Sequence, residues 1–231
     1  MGAHAVTVVA RSKRLLSRHL WSFPLALLSA VFFARLASEV REHRFLPFDS
    51  AVARVVQQAR GRFDGVMLGF TWLGRGEVLL LLGTACSLIL LTQKRTREVA
   101  FLATIGASAL LLDLSLKLFF HRARPAAEQL YVILAPSSFS FPSGHALGST
   151  AVLFALVVVA RVEGARGARF VLLAVVAATS VLGVAASRVY FGVHFPSDVA
   201  AGICAGAALT SALTGWFYPR VLPGEETPAA E

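Results

Sequence analysis

The chain has 231 residues, of which 56% are hydrophobic and only 15% charged, with a formal net charge of +9. Soluble domains carry about 25% charged residues, so this balance, with a mean hydropathy of +0.69, excludes an ordinary water-soluble domain and points to a membrane protein. The positive charge does not signal nucleic acid: no basic stretch is interleaved with aromatics on a polar module, and membrane proteins collect Lys and Arg in loops that meet anionic head groups.

Six apolar segments follow one another, over 20–38, 77–93, 98–118, 145–162, 169–187 and 197–217. Each has the length that about 30 Å of hydrocarbon demands of an α-helix. The first follows a basic N-terminus, 1–19, and no clean small-x-small cleavage site comes after it, so it is expected to stay as an anchor. Between the first and second, 46–63 (LPFDSAVARVVQQARGRF) alternates apolar and polar residues at helical spacing. That pattern predicts an amphipathic helix on the membrane surface. The start of the second span is ambiguous, because 65–73 is also apolar and only Gly74 to Glu77 separates the two pieces. Cys86 and Cys204 lie inside spans without Cys or His at metal spacing, and read as small buried apolar residues. The tail over 218–231 is expected to be disordered. The expected fold is all-α: a six-span transmembrane helical bundle over 20–217, with an amphipathic interfacial helix between spans 1 and 2.

Six spans put both termini on one side. Arg11, Lys13, Arg14 and Arg18 precede the first span, Lys94, Arg95 and Arg97 fill the second connection, and Arg161, Arg166 and Arg169 fill the fourth. All fall on the side of the termini, which the positive-inside rule makes the cytoplasm of a multi-pass protein, expected in a bacterial inner membrane. The long segment 39–76 also carries arginines on the other face, where the rule acts weakly. On that other, extracytoplasmic face emerge three polar stretches: KLFFHRARP (Lys117 to Pro125), PSGH (Pro142 to His145) and SRVYFGVHFPSD (Ser187 to Asp198). Ionisable groups at membrane depth are costly and usually functional.

Together these residues suit phosphate chemistry. Lys117, Arg124 and Arg188 are three fixed cations able to neutralise a dianionic phosphate and the charge that develops on it. Ser143 and Gly144 open a helix whose N-terminal amides bind anions. His194 and Asp198 are four apart; the carboxylate can hold one ring nitrogen and leave the other free to attack phosphorus. Pro196 suits the first helical position, which puts Asp198 in the first turn. His145, on another span, can protonate the leaving oxygen. No carboxylate cluster stands ready to hold a metal, so neither metal nor cofactor is expected. Asp113, one helical turn before Lys117, is a candidate partner for it. His121 and Arg122 read as solvated boundary residues, and Tyr190 and Phe191 as aromatics that shape a pocket or sit at the interface.

The three stretches resemble the signature of the type 2 phosphatidic acid phosphatase superfamily, K-x6-RP, PSGH and SR-x5-H-x3-D, with no position missing. The likeness runs from the amphipathic segment to the last span and falls in the membrane lipid phosphatase, undecaprenyl-diphosphatase-like branch. It implies that Lys117, Arg124, Ser143, Gly144 and Arg188 bind phosphate, that His145 is the acid, His194 the nucleophile and Asp198 its partner, and that a phosphohistidine forms. The implied substrate is a phosphorylated lipid in the bilayer, either a polyprenyl diphosphate or a phosphatidate-type glycerolipid. Vanadium haloperoxidases belong to the same superfamily, but the larger, soluble form of those enzymes does not fit six spans. A lipid phosphotransferase working through the same intermediate and a non-catalytic lipid-binding or transport protein are the alternatives. Oligomeric state is not legible in the sequence.

Overall fold

The computed structural model describes residues 22–125 and 138–218. The predicted basic N-terminus and nearly all of the predicted tail lie outside the described residues. Among the described residues the regular structure is entirely helical. Helix α1 spans Ser22–Arg41, α2 Leu46–Gln57, α3 Asp64–Leu73, α4 Gly76–Thr92, α5 Thr96–Phe120, α6 Gly144–Val162, α7 Gly167–Tyr190 and α8 Pro196–Phe217. Helices α1, α5, α6, α7 and α8 are each long and apolar enough to cross a membrane, and α3 and α4 together supply the sixth span.

The α3–α4 pair resolves the ambiguity at the second span. The apolar piece over 65–73 is a helix of its own, bent by 54° from α4. The break falls at Gly74 and Arg75, where Arg75 is extended (ψ 141°) before the chain turns helical again. The predicted amphipathic stretch is helical only over its first part, α2; the chain then turns through 58–63. Pro47 sits in the first turn of α2, where its missing N–H costs nothing.

Helix α6 is the centre of the bundle and packs against α5, α7 and α8, while α1 lies along α8 and α3 along α7. Apolar burial alone cannot hold helices together in lipid, so close backbone approach matters. A Cβ on Gly202 would lie 2.6 Å from the Ser143 carbonyl oxygen, and one on Gly206 would lie 2.6 Å from that of Leu147. Only glycine admits α8 so close to α6. The outward surfaces are apolar: Leu80 and Leu81 on α4 are each 70% exposed, as expected of residues whose solvent is hydrocarbon. Cys86 and Cys204 are half-buried free thiols within the bundle.

At the end of the bundle that holds the second and fourth connections, Arg95 pairs with Glu163 and lies 3.8 Å from Glu98. At the opposite end, α5 finishes at His121, whose left-handed backbone (φ 47°) stops the helix. There the chain ends of α5 and α7 meet the starts of α6 and α8, and the three polar stretches come together.

Candidate active site

Each polar side chain is placed by a helix terminus. Ser143 is the N-cap of α6, and its Oγ accepts from the Ala146 amide at 3.5 Å. The Ser143 amide in turn donates to the Asp198 carbonyl at 3.0 Å, which ties the start of α6 to the first turn of α8. Pro196 opens α8, and Asp198 reaches back so that its Oδ2 accepts from the Phe195 amide at 2.9 Å. The short turn from Phe191 to Phe195 closes on Arg188, whose carbonyl accepts from the amides of Val193 (3.1 Å) and His194 (3.3 Å). Arg188 and His194 are therefore linked through backbone, and both side chains are buried.

Around His194 the geometry assigns the ring nitrogens. Arg124 Nη1 lies 3.1 Å from His194 Nε2. A guanidinium has only donors, so Nε2 accepts and the proton of the neutral ring sits on Nδ1. Nδ1 faces Asp198 Oδ2 at 3.5 Å and Ser140 Oγ at 3.4 Å. Ser140 itself donates to Asp198 Oδ2. Burial pushes the His194 pKa down to about 4, against the pull of Asp198. The ring is neutral at pH 7, with a lone pair on Nε2.

The cations differ in how they are held. Arg124 is spread over main-chain oxygens: Nε donates to Ser138 O (2.7 Å), Nη1 to Val193 O (2.7 Å) and Nη2 to Phe139 O (3.2 Å). Its pKa is lowered by burial, with Asp198 and Asp113 opposing. Arg188 donates from Nη1 to Thr71 Oγ1 at 3.4 Å, and its Nε is buried with no partner among the described residues. Lys117 pairs with Asp113 at 2.7 Å, as the one-turn spacing predicts. Asp113 presses on the start of α6: a Cβ on Gly144 would fall 2.8 Å from its Oδ1. The charged or titratable neighbours of His145 are Arg188, His194, Lys117 and Arg124, and its ring also lies against the α3–α4 turn at Gly74. All eight residues singled out from the sequence thus lie at one end of the bundle.

The sequence reading misplaced one residue and overlooked four. Arg122 is not a solvated boundary residue. Its side chain is 11% exposed and lies between two carboxylates, with Nη2 on Asp49 Oδ2 at 2.7 Å and Nη1 on Asp198 Oδ1. Nη1 also donates to Ser197 Oγ at 2.8 Å, and the guanidinium lies 4.3 Å over the Phe195 ring. Asp49, fully buried, accepts from the Ser197 amide (2.9 Å) and hydroxyl (2.6 Å). Ser140, Ser197 and Thr71 complete the set of overlooked residues; Thr71 Oγ1 donates to Ser187 Oγ at 2.8 Å. His121, by contrast, is exposed as expected. Tyr190 and Phe191 pack with Val193 against Val56, Ala59 and Met67. Tyr190 Oη lies 2.6 Å from Asp64 Oδ1, which fastens the α2–α3 corner to the end of α7.

The arrangement resembles known proteins in sequence and in fold. The sequence model of the PAP2 superfamily matches residues 97–222. Phosphatidylglycerophosphatase B of Bacillus subtilis (strain 168) is 29% identical over 189 residues, which cover 80% of this chain and 91% of that protein. The crystal structure of the first transmembrane PAP2 type phosphatidylglycerolphosphate phosphatase, from Bacillus subtilis, superposes with a TM-score of 0.72 at 27% identity, covering 83% of this chain and 95% of that one. Aquifex aeolicus LpxE superposes with a TM-score of 0.56, also at 27% identity, over 71% of this chain and 92% of that one. A bundle of this topology, with the family's match covering its last four helices and every motif gathered at one end, is an integral-membrane lipid phosphatase that belongs to the PAP2 superfamily.

Proposed function

We propose that this enzyme hydrolyses a terminal phosphomonoester of a glycerophospholipid, of the phosphatidylglycerophosphate type, through a phosphohistidine on His194 and without a metal. The observation that carries the mechanism is the contact of Arg124 with His194 Nε2 at 3.1 Å. It leaves the accepting nitrogen among fixed cations, one of which, Arg188, has a buried N–H still to be used. A buried donor without a partner costs about 1–3 kcal/mol, and a phosphoryl oxygen supplies that partner. The substrate class is supported by the likeness to phosphatidylglycerophosphatase B over 91% of that protein's length.

In this reading the phosphate enters among Lys117, Arg124 and Arg188 at the Ser143–Gly144 helix start, and Arg124 turns its Nη1 from the ring to a phosphoryl oxygen. His194 Nε2 attacks phosphorus. The bond from phosphorus to the lipid oxygen breaks, and His145 gives its proton to that oxygen. The resulting ring carries a proton on Nδ1 and a phosphoryl group on Nε2, and the Asp198 carboxylate balances its charge. Water then attacks phosphorus, the N–P bond breaks, and the water's proton returns to His145. The site is at the end of the bundle remote from Lys94, Arg95, Arg97, Arg161, Arg166 and Arg169, which by the positive-inside rule supports an extracytoplasmic site with both termini cytoplasmic.

The test is phosphate release by detergent-purified enzyme in the presence of chelator. Phosphatidylglycerophosphate, phosphatidate, a polyprenyl diphosphate and a soluble phosphate ester are compared, beside His194→Ala. Release that is fastest on phosphatidylglycerophosphate and lost with His194 is expected. A preference for the polyprenyl diphosphate would move the substrate class, and release that persists without His194 would end the phosphohistidine mechanism.

A further inference from the structure

We propose that Arg122 and Asp49 are positioning residues for phosphoryl transfer: they fix the carboxylate of Asp198 and set the charge that it presents to His194. The inference rests on the reading of His194 as the nucleophile.

The geometry is that of a carboxylate held at both oxygens. Asp198 Oδ2 faces His194 and accepts from Ser140 and from the Phe195 amide. Arg122 is on Oδ1. A carboxylate torsion is broad and two-fold when left free, so Arg122 on Oδ1, together with Ser140 and the Phe195 amide on Oδ2, fixes the carboxylate plane that Nδ1 faces. Arg122 also holds the segment that brings Ser140 in, since its carbonyl accepts from the Ser140 amide at 2.8 Å.

The charges explain why Asp49 is needed. One guanidinium against one carboxylate would leave Asp198 neutralised, with little left to balance a histidine that becomes cationic during transfer. Asp49 takes the other side of Arg122 at 2.7 Å. Two carboxylates and one guanidinium leave one unit of negative charge, and the histidine is where a compensating positive charge can form. Burial strengthens every part of this arrangement, because the site's low dielectric magnifies both pairing and mispairing.

Asp49 also fixes position. It accepts from the amide of Ser197, an N-terminal donor of α8 that the helix itself leaves unpaired. Asp49 lies in the first turn of α2, the amphipathic helix. The first turn of α8, which carries Asp198, is therefore pinned to an element outside the six spans.

The experiment compares Arg122→Gln, Arg122→Lys and Asp49→Asn with wild type and His194→Ala, all in one detergent. The readouts are kcat, KM, the inhibition constant of inorganic phosphate, and thermal melting. Arg122 and Asp49 touch none of Lys117, Arg124, Ser143, Gly144 or Arg188, so product binding is expected within about twofold of wild type. kcat is expected to fall roughly 10- to 100-fold, the cost of a small misplacement of a reacting group. Arg122→Lys keeps the charge and the fold but not the fork that spans two carboxylates, and is expected to lose kcat as well. Guanidinium added to Arg122→Ala is expected to recover part of it. Wild-type kcat in Arg122→Lys and Asp49→Asn would overturn the proposal, and so would parallel loss of kcat, phosphate binding and melting temperature. Activity in His194→Ala would instead remove the nucleophile reading beneath it.

Discussion

The amide of Ser143 donates to the carbonyl oxygen of Asp198 at 3.0 Å, so the start of α6 and the first turn of α8 are joined by backbone. The joint does not depend on the side chain at either position, proline at 143 apart, but a wedge between the helices would open it. Gly202 and Gly206 line the same contact one helical turn apart, each with a would-be Cβ 2.6 Å from a carbonyl oxygen of α6. Overpacking of this kind costs about 1–3 kcal/mol. Both Gly202→Ala and Gly206→Ala are expected to lower the melting temperature in detergent. Only Gly202→Ala, which presses on Ser143, is expected to lower kcat as well. Equal activity in the two variants would show that the wedge is absorbed before it reaches the site.

Gly144 is expected to be intolerant of any side chain. A Cβ there would lie 2.8 and 2.9 Å from the two carboxylate oxygens of Asp113, and Asp113 holds Lys117 at 2.7 Å. Gly144→Ala therefore displaces both Asp113 and Lys117. The expected result is a fall in kcat/KM of at least about tenfold with the helical circular dichroism unchanged. Wild-type kcat/KM would mean that Asp113 and Lys117 move aside without consequence.

His194 is expected to titrate well below an ordinary histidine. Burial disfavours its cation and lowers its pKa to about 4. The sign follows: as pH falls through 6.5 the ring stays neutral and Nε2 keeps its lone pair, and protonation comes only near pH 4. Nuclear magnetic resonance of ring-labelled histidine, with His194→Ala to assign the signal, measures this in the free enzyme. A midpoint between 6 and 7 would mean that Asp198 outweighs burial.

Sidedness is expected to follow the arginines. Phe139 and Lys94 are both exposed, at opposite ends of the bundle. In a background without Cys86 and Cys204, a membrane-impermeant thiol reagent added to intact cells is expected to label Phe139→Cys and to spare Lys94→Cys until the membrane is opened. The reverse pattern would invert the topology.

Much of this was legible in the sequence, because it depends on local rules. Span length follows from hydrocarbon thickness, and the four-residue spacing of His194 and Asp198 and of Asp113 and Lys117 follows from the helical repeat. The 54° bend between α3 and α4 was not legible, since Gly74 marks a possible break without giving its angle. Arg122 and Asp49 were missed for a related reason. Arg122 occupies a variable position of the first motif, beside an exposed histidine, and looks like any interfacial arginine. Asp49 sits on the amphipathic helix, where a carboxylate ordinarily faces water. Each becomes intelligible only when the other, 73 positions away, is brought to 2.7 Å.

That separation bears on the order in which the molecule assembles. Asp49 leaves the ribosome long before its partners, since Arg122 follows by 73 positions and Ser197 by 148. Closing so long a loop is paid in chain entropy before any contact rewards it. Until α5 and α8 have both inserted, Asp49 lacks at least one of its partners, and its charge is best kept in the wet interfacial layer. The Asp49 carboxylate is complete only when the α8 amide joins the guanidinium in receiving it. A chain halted after five spans therefore lacks the Ser197 amide that completes the Asp49 site, and activity appears only with the final crossing.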